Sequence, residues 1–277
     1  MIQGDIDNKA TLLPAFIGAT AIFSNTDFFA PLFAALGSGS LFPKKEAYDR
    51  EVLQNVNVAE IAASPIVLQT LERFVISSLA DASKWSKGKL TTVYHFDSKA
   101  EAIRIIHSRF PDLAKRMSML QLGHYVANWK WGPMAPQKQA DGSFLTLRPN
   151  SAETRFQFVV TEKDTGSFTR ALVEFLPAGK TMIAVSQTMV WPEWMRIWGE
   201  VHGVKAGFKQ VSRKEFWEGV PAPLAEEVGD SFEFIEKFGI TGGDPDVLTA
   251  EKVRNHPFGY VYYSFTDRCS RSTLIFL

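Results

Sequence analysis

The chain is predicted to fold in the α/β class, around a parallel sheet. Three observations carry that prediction. Short apolar runs alternate with longer stretches of helical character, which is the pattern of β-α units. One of those runs, Phe74 to Ser77, is β-branched and ends on hydroxyls, as a buried strand does when it delivers polar groups to a crevice. The 277 residues are 45% hydrophobic and 22% charged, which is enough apolar material to bury one large core.

Taken in order, Ala21 to Ser24 reads as a short strand after a turn at Gly18. Asn25, Thr26 and Asp27 follow it as short polar turn formers. Gly37-Ser38-Gly39 reads as a loop between two loop segments, because a lone Gly-x-Gly is a weak phosphate signal. Lys44 to Ser64 is expected to be a helix with Val52, Val56 and Ala59 on one side, stopped by Pro65. Phe74 to Ser77 is the next strand. A basic, Gly-containing loop leads from it to a helix over His95 to Phe110, where His95 and Lys99 stand four apart on one face. Met117 to Leu122 is the strand after that. From about Trp131, Gly, Pro and Asn cluster around a short strand near Phe144 to Leu147. Asp164 is placed to cap a helix whose Phe168, Ala171, Leu172 and Phe175 fall at core spacing. Trp191 to Gly203 and Glu226 to Phe238 read as further helices, the second with Val228, Phe232 and Ile235 as its stripe. Asn255 to Leu277 is dense in Tyr, Phe and Ser and shows no helical period.

Composition excludes several function classes. Thirty basic and thirty acidic residues cancel, which leaves no electrostatic footprint for direct nucleic-acid binding. His95, His107, His124, His202 and His256 are scattered without the spacing of a metal site. The single Cys269 excludes an internal disulfide and points to a reducing compartment. No apolar run reaches membrane-spanning length and the amino end does not read as a signal peptide, so a cytoplasmic protein is expected. Hydroxyl, imidazole and ammonium from Ser77, His95 and Lys99 in one crevice are able to relay a proton to or from a carbonyl. The same residues also fit a plain strand, a surface loop and a helix with an exposed lysine.

Ser77-Ser78-Leu79 followed by His95-Phe96-Asp97-Ser98-Lys99 resembles the NmrA-like family, an atypical branch of the short-chain dehydrogenase/reductases. GDIDN (Gly4 to Asn8), GATAIFSNTDFF (Gly18 to Phe29), LQLGHYVANW (Leu120 to Trp129), EKDTGSFTRALVEF (Glu162 to Phe175) and GGDPDV (Gly242 to Val247) match family blocks in the same order. The resemblance implies an incomplete Rossmann-like, doubly wound parallel sheet with a smaller, mixed carboxyl-terminal substrate subdomain. The Rossmann part spans 1–130, the subdomain 131–254, and 255–277 is a divergent tail without a family counterpart.

Further expectations follow from the resemblance. The family's Gly-rich dinucleotide turn precedes the block matched at Gly4, so this unit is expected to be missing from the chain as it stands. The edge at Ala21 to Ser24 is then exposed to self-association or a protein partner, and binding of NADP or NAD is weakened or lost. Lys99 is expected to hold the cofactor ribose, with Asn25, Thr26 and Asp27 near its nicotinamide side. His95 occupies the position four before Lys99, where the classical enzymes carry Tyr; it serves as general acid, stacks beside the nicotinamide or packs. Ser77 is a candidate hydroxyl donor to a substrate oxygen. Gln121, Tyr125 and Asn128 wall the substrate crevice or belong to the core between subdomains. The implied function is an NAD(P)-dependent oxidoreductase that reduces a carbonyl or activated double bond of a small molecule in a fungal specialised (secondary) metabolite pathway. The alternative is a non-catalytic dinucleotide-binding redox sensor and transcriptional regulator.

Overall fold

A computed structural model describes residues 2–254, so the tail from Asn255 onward, with His256 and Cys269, lies outside the described residues. The strands and the longer helices, in chain order, are β1 (Ala21–Ser24), α1 (Phe29–Gly37), α2 (Pro43–Ala62), β2 (Arg73–Ser78), α3 (Tyr94–Arg109) and β3 (Met117–Leu122). There follow β4 (His124–Tyr125), β5 (Gln137–Lys138), β6 (Phe144–Arg148), β7 (Arg155–Val159), α4 (Thr161–Arg170), β8 (Thr181–Ala184) and β9 (Gln187–Val190). The last three are α5 (Trp191–His202), β10 (Ala206–Gln210) and α6 (Ala222–Phe238). The chain divides into two compact units, one from 1–121, 166–182 and 241–247, the other from 122–165, 183–240 and 248 onward.

The first unit is built on a sheet of order β1-β2-β3-β8. β1 runs parallel to β2 with Ala21 opposite Arg73, and β2 runs parallel to β3 with Phe74 opposite Met117. β2 is buried from Phe74 to Ser78 because, as a central strand, it has cover on both faces. β1 alternates exposed and buried residues, and it ends the sheet. Phe23 is 42% exposed there, which leaves an apolar edge without a charge or a proline to blunt it. The core joins Ile22, Val58, Ala59, Ala62, Phe74, Ile76, Ile106 and Met117.

Local chemistry sets the helix limits. α2 begins with Pro43 in its first turn and Glu46 near its positive end. α3 carries Asp97 in its first turn and His107 and Arg109 in its last, and Pro111 follows. Two expectations need correction here. Gly37 is not in a loop: it closes α1, started by the Asp27 carboxylate accepting from the Phe29 amide, and Ser38 and Gly39 form the turn after it, Gly39 with φ +74°. On α2, Val56 and Ala59 are buried as read but Val52 is only half-buried, and the inward face also holds Glu51, Asn55 and Val58.

The second unit holds two three-stranded sheets, β10-β6-β5 and β4-β7-β9. β10 is parallel to β6 and β5 antiparallel to it; β4 is parallel to β7 and β9 antiparallel. Its core is aromatic, with Phe156, Phe158, Trp191, Trp194 and Phe232 all buried. α5 ends on Gly203 at φ +65°, the left-handed cap that a glycine adopts without strain. Asp164 lies inside the first turn of α4 rather than at its cap, where its carboxylate accepts from the Ser186 hydroxyl. Of the four residues at apolar spacing, Phe168, Ala171 and Leu172 are buried and Phe175 is only half-buried.

Candidate functional site

Polar groups gather at the carboxyl ends of the three parallel strands, where open α/β sheets bind ligands. Thr26 follows β1 and is buried; Ser77 and Ser78 close β2 and are buried; Gln121 sits near the end of β3, directly opposite Ser78 in the ladder. Ser78 Oγ and Gln121 Oε1 are both enclosed and make no hydrogen bond to the protein. A buried polar atom without a protein partner is costly, and these two stand side by side at the strand ends.

α3 brings Lys99 to this end. Its ammonium donates to Glu51 Oε1 at 2.7 Å, to Thr26 Oγ1 at 3.1 Å and to the Thr26 carbonyl at 3.2 Å. Glu51, from α2, has no exposed surface. Its second oxygen accepts from the Ser98 hydroxyl, while Thr26 Oγ1 donates to Oε1 at 2.8 Å. Asn55 donates to Thr26 Oγ1 at 3.0 Å and to the Glu51 carbonyl at 3.0 Å. The result is a buried ion pair whose charges are both satisfied by further hydrogen bonds, which is the condition for such a pair to be tolerated.

His95 lies one turn earlier on α3, half-buried among Phe28, Phe29 and Phe96, with ring centroids at 6.0, 5.2 and 4.8 Å. Tyr94 packs against α2, its ring 5.4 Å from Tyr48 and under the Lys44 ammonium at 5.2 Å. Burial, with the Glu101 carboxylate adding to it, pushes the Tyr48 phenol up to about 12. Burial also raises the Asp97 carboxyl above the usual carboxylate range, against the two hydrogen bonds that it accepts from Ser83. Asn25 and Asp27 are exposed on either side of Thr26.

Sequence reading singled out Lys99, Thr26, His95 and Ser77, and the hydrogen bonds of Lys99 join it to Thr26. Glu51, Ser98 and Asn55 were missed. The available signal was the buried-helix spacing itself, since Glu51 and Asn55 stand four apart beside Val58 and Ala59. Tyr125 and Asn128 belong to the second unit, Tyr125 41% exposed at the end of β4 and Asn128 half-buried in the turn after it.

The second unit places a half-buried histidine and a buried arginine among aromatic rings. His124 is ringed by Phe156, Phe158, Trp191 and Phe232 at 5.5–6.2 Å, and desolvation, with the Arg148 charge adding to it, lowers its imidazole to about 3. Arg148 stacks on Trp191 at 4.2 Å and donates to the carbonyls of Leu147 and Met134, and burial pulls it down to about 9. Among the described residues no group of His, Cys, Asp and Glu could hold a metal ion, and no helix is long and apolar enough to cross a membrane.

A parallel sheet with polar groups at the carboxyl ends of its strands is the arrangement of open α/β proteins, which bind ligands there. The family model described as the NmrA-like family matches residues 1–259, and the chain belongs to that family. No curated protein matches it in sequence. Among solved structures it is similar to NmrA, a negative transcriptional regulator, in complex with NAD, at 16% identity and a TM-score of 0.65 over 98% of this chain and 79% of that one. It is similar to the NADPH-dependent quinone oxidoreductase QOR2 from Escherichia coli complexed with NADPH, at 16% identity and 0.59 over 96% and 82%. It is also similar to the triphenylmethane reductase of Citrobacter sp. complexed with NADP(H), at 15% identity and 0.53 over 91% and 76%. Likeness at such identities establishes the fold.

Proposed function

We propose that this chain is an NAD(P)-dependent oxidoreductase that reduces a carbonyl or an activated double bond in a small molecule of a fungal specialised metabolite pathway. The observation that carries the reading is the strand-end cluster, with Thr26, Ser77, Ser78 and Gln121 at the ends of three adjacent strands and Lys99 reaching it from α3. A bound reduced nicotinamide would supply the hydride. Lys99 is proposed to touch the cofactor ribose, and Asn25, Thr26 and Asp27 to lie along the nicotinamide side. His95 is proposed to give the proton to the developing alkoxide or to stack beside the nicotinamide, with Ser77 donating to the same oxygen. Gln121 is the proposed substrate contact at this strand end.

Affinity for the dinucleotide is proposed to be low. The described residues include no Gly-x-x-Gly-x-x-Gly turn at a helix start, the arrangement whose amides hold a pyrophosphate. The site is read as one that binds a small molecule, in a protein of the cytoplasm.

Two observations favour a second reading, that of a redox sensor without turnover. All three N–H groups of Lys99 are already committed, and the position four before it is His95 rather than a tyrosine. Consumption of NADPH at 340 nm with quinone and triarylmethane acceptors separates the two. Turnover that falls at least about tenfold in His95→Phe supports the enzyme with His95 as acid. Saturable NADPH binding without turnover on any acceptor would replace it with the sensor.

A further inference from the structure

We infer that Glu51 is a positioning residue for Lys99, clamping its ammonium so that a ligand hydroxyl reaches it only by exchange with Thr26. The inference rests on the reading of this site as a dinucleotide pocket, and its test keeps the two apart.

The argument is one of donors and acceptors. An ammonium offers three N–H groups, and those of Lys99 go to Glu51 Oε1 at 2.7 Å and to two Thr26 oxygens at 3.1 and 3.2 Å. The contacts are unequal. The bond to the carboxylate is shorter and charge-assisted, while the bonds to Thr26 are longer and end on neutral oxygens. Glu51 cannot leave cheaply, because it is wholly buried and held from behind by Ser98 and Thr26. A ligand hydroxyl that replaced Glu51 would strand two buried charges, whereas one that replaced a Thr26 oxygen would exchange one neutral acceptor for another. Thr26 loses little in the exchange, since its hydroxyl still donates to Glu51 and accepts from Asn55. Glu51 need not touch a ligand to matter: it fixes where the Lys99 charge sits.

Lysine acetylation of the folded protein, followed peptide by peptide by mass spectrometry, reads the clamp directly. Lys44, which lies on the same helix as Glu51 and is 9% exposed against 7% for Lys99, is the internal control. Glu51→Gln is expected to raise acetylation of Lys99 at least about tenfold with Lys44 unchanged, and Glu51→Asp to stay within about threefold of the wild type. A rise at both lysines, or none at Lys99, overturns the inference. Should Glu51→Gln not fold, recovery of a folded chain in Glu51→Gln/Lys99→Met supports the pairing and failure to recover overturns it.

NADPH titration supplies the second arm. Lys99→Met and Glu51→Gln are each expected to weaken NADPH about tenfold, and the double variant no further, because Glu51 acts through Lys99. Additive losses overturn the inference. If Lys99→Met leaves NADPH affinity unchanged while Glu51→Gln still exposes Lys99, the clamp holds and the dinucleotide reading is what fails.

Discussion

A carboxylate with no exposed surface, such as Glu51, costs several kcal/mol to desolvate unless charge and hydrogen bonds meet it inside. Lys99, Thr26 and Ser98 supply them, which explains why a glutamate stands among the apolar residues of a core-facing helix. His124 is the opposite case, an imidazole kept neutral by aromatic surroundings. Its folded pKa of about 3 lies below the ordinary 6.5, so on acidification the unfolded chain takes up the proton first. The stability from its neutral form is complete above pH 6.5 and drains as the pH falls toward 3. By pH ~5 the loss amounts to about 2 kcal/mol. His124→Gln is expected to lack this part of the pH slope when urea midpoints are compared at pH ~7.5 and ~5; the same slope in both proteins contradicts the assignment. Little of this was legible beforehand. Sequence spacing shows that His95 and Lys99 share a helix face, but the partner of Lys99 lies 48 positions away and only the packing of α2 on α3 brings it there.

Elements were easier to read where burial leaves a clean pattern. β2 is rich in β-branched and apolar residues and ends on Ser77 and Ser78, β3 is largely apolar with Gln121 near its end, and the two are parallel neighbours, as the expected parallel sheet requires. α1 escaped notice because Phe29-Ala30-Pro31-Leu32-Phe33 is apolar on every side and so shows no helical period. The GGDPDV block has a concrete packing reason. Gly242 adopts φ +68°, and a Cβ there would run into the Trp85 side chain. Gly242→Ala is expected to cost about 2 kcal/mol or more in urea unfolding, through backbone strain and the clash together. A change within experimental error would show that this contact is dispensable. The β1 edge makes a second prediction. An apolar end strand with Phe23 outward invites pairing between copies, so sedimentation is expected to show concentration-dependent association. Phe23→Lys, at a position where the core is untouched, is expected to abolish it; unchanged association would place the contact elsewhere.

Across the whole molecule, the two units treat enclosed polar groups differently: the ion pair of the first meets its charges with hydrogen bonds, while the aromatic nest of the second leaves Arg148 Nε and Trp191 Nε1 without a hydrogen-bond partner. Membership of the NmrA-like family settles the fold, and solved neighbours of the same fold include both a regulator and reductases. The functional reading therefore rests on the strand-end chemistry of this chain, and the central claim is that Lys99, as held by Glu51, contributes to dinucleotide binding. The most direct test is an NADPH fluorescence titration of the wild-type chain against Glu51→Gln/Lys99→Met, a variant that removes both charges and leaves neither buried alone. The account predicts weak but saturable binding by the wild type, and a loss of at least about tenfold in the variant, roughly 1.4 kcal/mol. Equal affinities in the two proteins, or no saturable binding by the wild type, would contradict it.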